Sequence, residues 1–61
     1  MTKEDEKLLK SLDKIIQDIY DARELVDSSK MLNLFGRENV RSDLIDAQKY
    51  IEKIRRNLML L

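Results

Sequence analysis

The aliphatic hydroxyls that could act as nucleophiles are Thr2, Ser11, Ser28, Ser29 and Ser42. A hydroxyl needs an adjacent base to attack at neutral pH, and the chain has no histidine and no cysteine. A serine–lysine arrangement is compositionally open, but no spacing sets one in a cleft. Carboxylates are abundant, with Asp18, Asp21, Glu24 and Asp27 in the first half. General acid–base work requires a pocket that shifts a pKa, whereas helical spacing spreads these four over a solvated face. Carboxylate metal sites in helical bundles rely on Glu-x-x-His pairs. Without His or Cys there is neither that motif, nor the usual zinc ligands, nor a disulfide. One glycine in the whole chain excludes a glycine-rich phosphate loop. The sequence therefore predicts no enzyme, no catalytic residue, no cofactor and no metal.

One basic group merits comparison with nucleic-acid binders. Lys7, Lys10, Lys14, Lys53, Arg55 and Arg56 lie near the two chain ends, and phosphate binding follows Lys and Arg density. RNA readers usually add stacking aromatics, but Tyr20, Phe35 and Tyr50 all lie outside this strip. Twelve basic residues balance twelve acidic ones, so overall charge gives no pull towards a polyanion. A solvated face is the favoured reading, nucleic acid is not the expected partner, and a small nucleic-acid-binding regulator is one alternative.

The elements that carry these residues follow from the apolar spacing. Sixty-one residues allow one domain, residues 1–61, and a chain this short is marginal alone. Proline is absent, which favours long helices. Leu8, Leu12, Ile15, Ile19, Ala22 and Val26 recur at alternating steps of four and three. Val40, Leu44, Ala47, Ile51, Ile54, Leu58 and Leu61 do the same. Two heptad seams predict an all-α, two-helix antiparallel hairpin with coiled-coil-like packing. The seams mirror each other: residues whose numbers add to 69 or 70 pair off, from Leu8 with Leu61 to Val26 with Leu44. Gly36, the only glycine, is expected just past the end of helix one, where φ > 0 is wanted. Helix one is thus placed at about residues 3–32, the turn at 33–38 and helix two at 39–61, with Asn39 or Ser42 as its N-cap. Ser28 and Ser29 offer an earlier stop and a longer apolar tip. Acidic residues at both helix starts and Lys53, Arg55 and Arg56 near the end complement the helix dipoles.

A hairpin alone leaves its seam half in water, and small chains without disulfides or metals usually oligomerise. Leu9, Ile16 and Tyr20 widen the apolar stripe of helix one, and a wide stripe can serve two neighbours. The tip (Met31, Leu34, Phe35) and the open end (Met59, Leu60) are apolar and need cover. Residues 1–17 and 49–61 carry eight basic and five acidic side chains, whereas residues 18–48 carry four and seven. Antiparallel docking of two hairpins sets these opposite signs side by side. The sequence thus predicts a homodimer, an antiparallel four-helix bundle, or docking on a protein partner. Ala22 and Ala47 form a thin layer flanked by Tyr20 and Tyr50, which are expected to fill it; a partner or ligand pocket there is the other reading.

In length, heptad pattern and an alanine-containing layer, residues 3–61 resemble the Rop class, small plasmid-encoded helical hairpins that pair into antiparallel four-helix bundles. The resemblance is architectural, and no motif aligns, so it carries no RNA-binding role to any residue here. The resulting expectation is a small non-enzymatic interaction or regulatory protein acting through helix faces. A chaperone- or antitoxin-like module, with a client covering the apolar ends, is a further alternative. No apolar run is long enough to span a membrane, and the charged start from Met1 to Lys7 does not read as a signal peptide; a cytoplasmic location is the default.

Overall fold

A computed structural model describes residues 2–60 as two α-helices, α1 (Lys3–Ser28) and α2 (Leu34–Met59), each of 26 residues, packed against each other as a hairpin. Leu61, expected at the end of the second seam, lies outside the described residues. Thr2 starts α1 with a reciprocal cap: its Oγ1 accepts from the Asp5 backbone N–H at 3.1 Å, and its own N–H donates to Asp5 Oδ2 at 3.2 Å. Two orphan donors of the first turn are thereby satisfied. Glu4, Asp5 and Glu6 put negative charge at the positive end of the helix dipole.

The turn differs from the expected one. Helix one stops at Ser28 rather than near residue 32, and helix two begins at Leu34 rather than near Asn39 or Ser42. The earlier stop at the Ser28–Ser29 pair is the one taken. Ser29 is extended (φ −71°, ψ 128°), and its hydroxyl accepts from the Met31 N–H at 3.3 Å. Serine competes with helix in this way, offering the backbone a local side-chain partner. Asn33 then caps α2, its Oδ1 accepting from the Gly36 N–H at 2.7 Å. Gly36 is therefore inside the first turn of helix two, and no described glycine has positive φ. Its missing side chain matters sterically instead, since a Cβ there would lie 3.2 Å from Asn33 Oδ1 and 3.4 Å from Leu32 Cδ2.

The mirror register is close to the observed one. Asp13–Arg55, Tyr20–Gln48 and Asp27–Arg41 meet across the hairpin with residue numbers adding to 68, and Arg23–Gln48 with a total of 71. Because α1 ends at Ser28 and α2 starts at Leu34, level helix ends would require a total of 62. The helices are therefore staggered by about seven residues, or ~10 Å at 1.5 Å per residue. The first two turns of α2 project beyond α1 at the tip, and the 29–33 connection runs back along them, held by Arg37 Nη2 donating to the Ser29 carbonyl at 2.7 Å. The long dimension of 45 Å exceeds the ~39 Å of a 26-residue helix accordingly.

The Asn33 cap fixes where α2 begins. Asn33→Ala is expected to lower stability by about 1 kcal/mol, read as a fall in the urea midpoint with unchanged slope; an unchanged midpoint would show that the cap is dispensable.

Candidate docking surface

Three residues of α1 are buried, Leu12, Ile19 and Val26, and they mark the centre of its contact with α2. Consecutive residues turn by about 100°, so two flanks border this line. One carries Leu9, Ile16 and Arg23, and the other carries Leu8, Ile15 and Ala22. Leu9, Ile16 and Arg23 are half-buried, whereas Leu8 and Ile15 are 43% and 41% exposed. The expected roles are thus exchanged. Leu9 and Ile16 belong to the hairpin's own packing, while Leu8 and Ile15, assigned to the inner seam, face outward.

The same rotation occurs in α2. Leu44, Ile51 and Leu58 lie towards α1, in register with Val26, Ile19 and Leu12. Arg41, Gln48, Glu52 and Arg55 hold the flank on the side of Leu9 and Ile16, which the cross-helix contacts of the polar residues establish. Gln48 is the single buried polar residue among those described, at 9% exposure. Its Oε1 accepts from Arg23 Nη1 at 3.0 Å, and its Nε2 donates to the Tyr20 hydroxyl and to Glu52 Oε1, each at 3.0 Å. Both amide hydrogens and an oxygen lone pair are therefore used, as burial of an amide requires. The Arg23 guanidinium lies over the Tyr20 ring, 5.4 Å from its centroid, within cation–π range. Ion pairs extend the clasp both ways, Asp27 to Arg41 towards the tip and Asp13 to Arg55 (2.7 Å) towards the open end. Arg23 and Asp27, four apart on α1, each find a partner on α2.

With these polar groups on one side, Leu8, Ile15 and Ala22 share the opposite side with Val40, Ala47 and Ile54. That open face is apolar along its central length. Its middle is the Ala22–Ala47 layer, where the tyrosines are not found. Tyr20 is on the polar side, bonded to Gln48, and Tyr50 is 67% exposed. The expected filling of the alanine layer by Tyr20 and Tyr50 is therefore corrected, and the layer stays shallow and open.

The remaining predicted contact residues sit at the ends. Met31, Leu34 and Phe35 are exposed at the tip, and Met59 and Leu60 at the open end. The basic strip does not form one surface. Lys7, Lys10 and Lys14 stand on the side of α1 away from α2, Lys53 and Arg56 are carried by α2, and half-buried Arg55 is engaged by Asp13. Gln48, Arg23 and Arg41 were missed in the sequence. The available signal was the seven-residue spacing of Arg41, Gln48 and Arg55, long polar side chains on one line of α2. Two shallow depressions among the described residues lie on the polar side, one beside Asp13, Ile16 and Glu52, the other beside Tyr20, Arg23 and Asp27. No helix among the described residues is long and apolar enough to cross a membrane. Comparison with protein-family models, with curated proteins and with solved structures finds no match.

Removing the central amide should loosen the clasp. Gln48→Ala is expected to cost about 1–3 kcal/mol, because half-buried Arg23 loses its acceptor, and Tyr20→Phe less, about 0.5–1.5 kcal/mol. Urea denaturation of both variants checks the order; equal or negligible losses would mean the network is ornamental.

Proposed function

We propose that the chain is a non-enzymatic interaction protein that acts by docking its open face, and that a second copy of the chain is the partner, giving a four-helix bundle. The observation that supports this is the segregation of the two sides. The polar side closes on itself through Gln48, Arg23, Tyr20 and Glu52. On the opposite side a stripe of aliphatic residues from both helices stays partly exposed, Leu8, Ile15 and Ala47 the most, with Ala22, Val40 and Ile54 half-buried. Uncovered apolar surface of this continuity on so small a chain is the usual mark of a protein contact. Self-association also supplies the extra burial that a chain of this length needs, with neither disulfide nor His or Cys ligand to staple it.

Nucleic-acid binding is the weaker reading, because the six basic residues are divided between two helices and one of them is held in an ion pair. A client protein over the apolar tip is likewise weaker, since the tip cluster is confined to the connection and the first turn of α2.

Light scattering after size exclusion tests the proposal. The wild-type chain is expected at twice its 7.3 kDa mass, and Ile15→Glu is expected to abolish the dimer by burying a charge on the open face. Glu24→Lys, on an exposed position away from that face, should leave the mass unchanged. A wild-type chain that is monomeric and fully helical at micromolar concentration would overturn the reading.

A further inference from the structure

The open face carries a pattern of large and small side chains that selects how two copies meet. Along α1 it presents Ile15 and Ala22, and along α2 Ala47 and Ile54. In the hairpin's own register Ile15 is level with Ile54, and Ala22 with Ala47, because each pair adds to 69. Face-to-face docking has two symmetric solutions. With the two-fold axis along the helices, tips lie together and each α1 covers the other copy's α2. Ile15 then meets Ile54 and Ala22 meets Ala47, so one layer is overfilled and the next is empty. With the axis across the helices, tips lie at opposite ends, α1 covers α1 and α2 covers α2. An axis midway between Ile15 and Ala22 then seats each Ile15 in the other copy's Ala22 notch. An axis midway between Ala47 and Ile54 does the same on the other helix.

These two requirements describe a single axis. The midpoints fall between Asp18 and Ile19 on α1 and between Tyr50 and Ile51 on α2. Residues at that level are opposite each other in the hairpin, whose observed totals run from 68 to 71. The level is also halfway along the staggered molecule, from Lys3 at the open end to Leu34 at the tip, so the copies overlap over their full length. Interdigitation of large with small residues is what fills a core to native density without strain. Charge supports the same choice. The open half of each hairpin carries eight basic and five acidic residues, the tip half four and seven; antiparallel docking sets the opposite signs together.

We infer that two copies dock antiparallel about this axis, α1 on α1 and α2 on α2, with Ile15 and Ile54 of one copy seated on Ala22 and Ala47 of the other. The inference rests on the self-association proposed above and adds its orientation and register.

Two experiments on the full chain decide it. The sequence has no cysteine, so Met31→Cys, at a tip position 93% exposed, accepts a single spin label. Pulsed dipolar spectroscopy of the dimer is expected to give a distance near the 45 Å length of the hairpin; a distance below about half that length means tips together and overturns the inference. The second is a size swap. Ala22→Ile alone overpacks the antiparallel layer and should weaken the dimer about tenfold or more, while adding Ile15→Ala restores the large-on-small pairing and most of the affinity. If Ala22→Ile instead tightens the dimer, it is filling the Ala22–Ala47 void of the parallel form, and the inference fails. A wild-type chain that does not dimerise at all fails the proposed function itself, whereas a dimer with tips together leaves that function standing and removes only this orientation.

Discussion

Everything distinctive about this hairpin depends on one buried amide. Two amphipathic helices with stripes as wide as these can roll about their axes with little change in apolar burial. The Gln48 side chain resists that rolling, because its two bonds to α1, from Arg23 and to the Tyr20 hydroxyl, tie the helices at one rotation, while its bond to Glu52 lies within α2. A half-satisfied buried amide costs more than it returns. Once the rotation is set, Leu9 and Ile16 turn inward on the polar side, and Leu8, Ile15, Ala22, Val40, Ala47 and Ile54 are left on the other. The polar clasp is thus the reason an apolar face exists on the opposite side.

The second constraint is longitudinal. Ser29 and Asn33 end one helix and start the next through side-chain bonds to the backbone. These local bonds fix the helix ends, while the cross-helix contacts fix the register, and the two do not coincide in level. The result is a stagger of about two turns, with α2 projecting at the tip and α1 at the open end. The stagger shifts the midpoint of the molecule to the level between Ile15 and Ala22. That is why the proposed two-fold axis, chosen by side-chain size, also centres the two copies.

The heptad steps made the two helices and their register legible, since apolar recurrence at three and four is a property of the α-helical repeat alone. The absence of His, Cys and Pro and the single Gly set, on the same footing, the expectation of an interaction protein. The turn was less legible. Gly36 pointed to a helix end because glycine is favoured there, but Asn33 and Ser29 compete through their side chains, and their hydrogen bonds decided. Two adjacent pairs, Leu8–Leu9 and Ile15–Ile16, each offered either member to the seam, and nothing local distinguishes them.

What the sequence by itself determined is that there are two helices, which residues lie at the same level across them, and that the charge divides between open end and tip; these follow from periodicity and counting along one dimension. Which flank of each helix is closed and which is open was decided only by the tertiary structure. That choice depends on Gln48 of one helix finding Arg23 and Tyr20 of the other, and hydrogen-bond geometry between segments 25 and 28 residues apart has no signature in either segment alone.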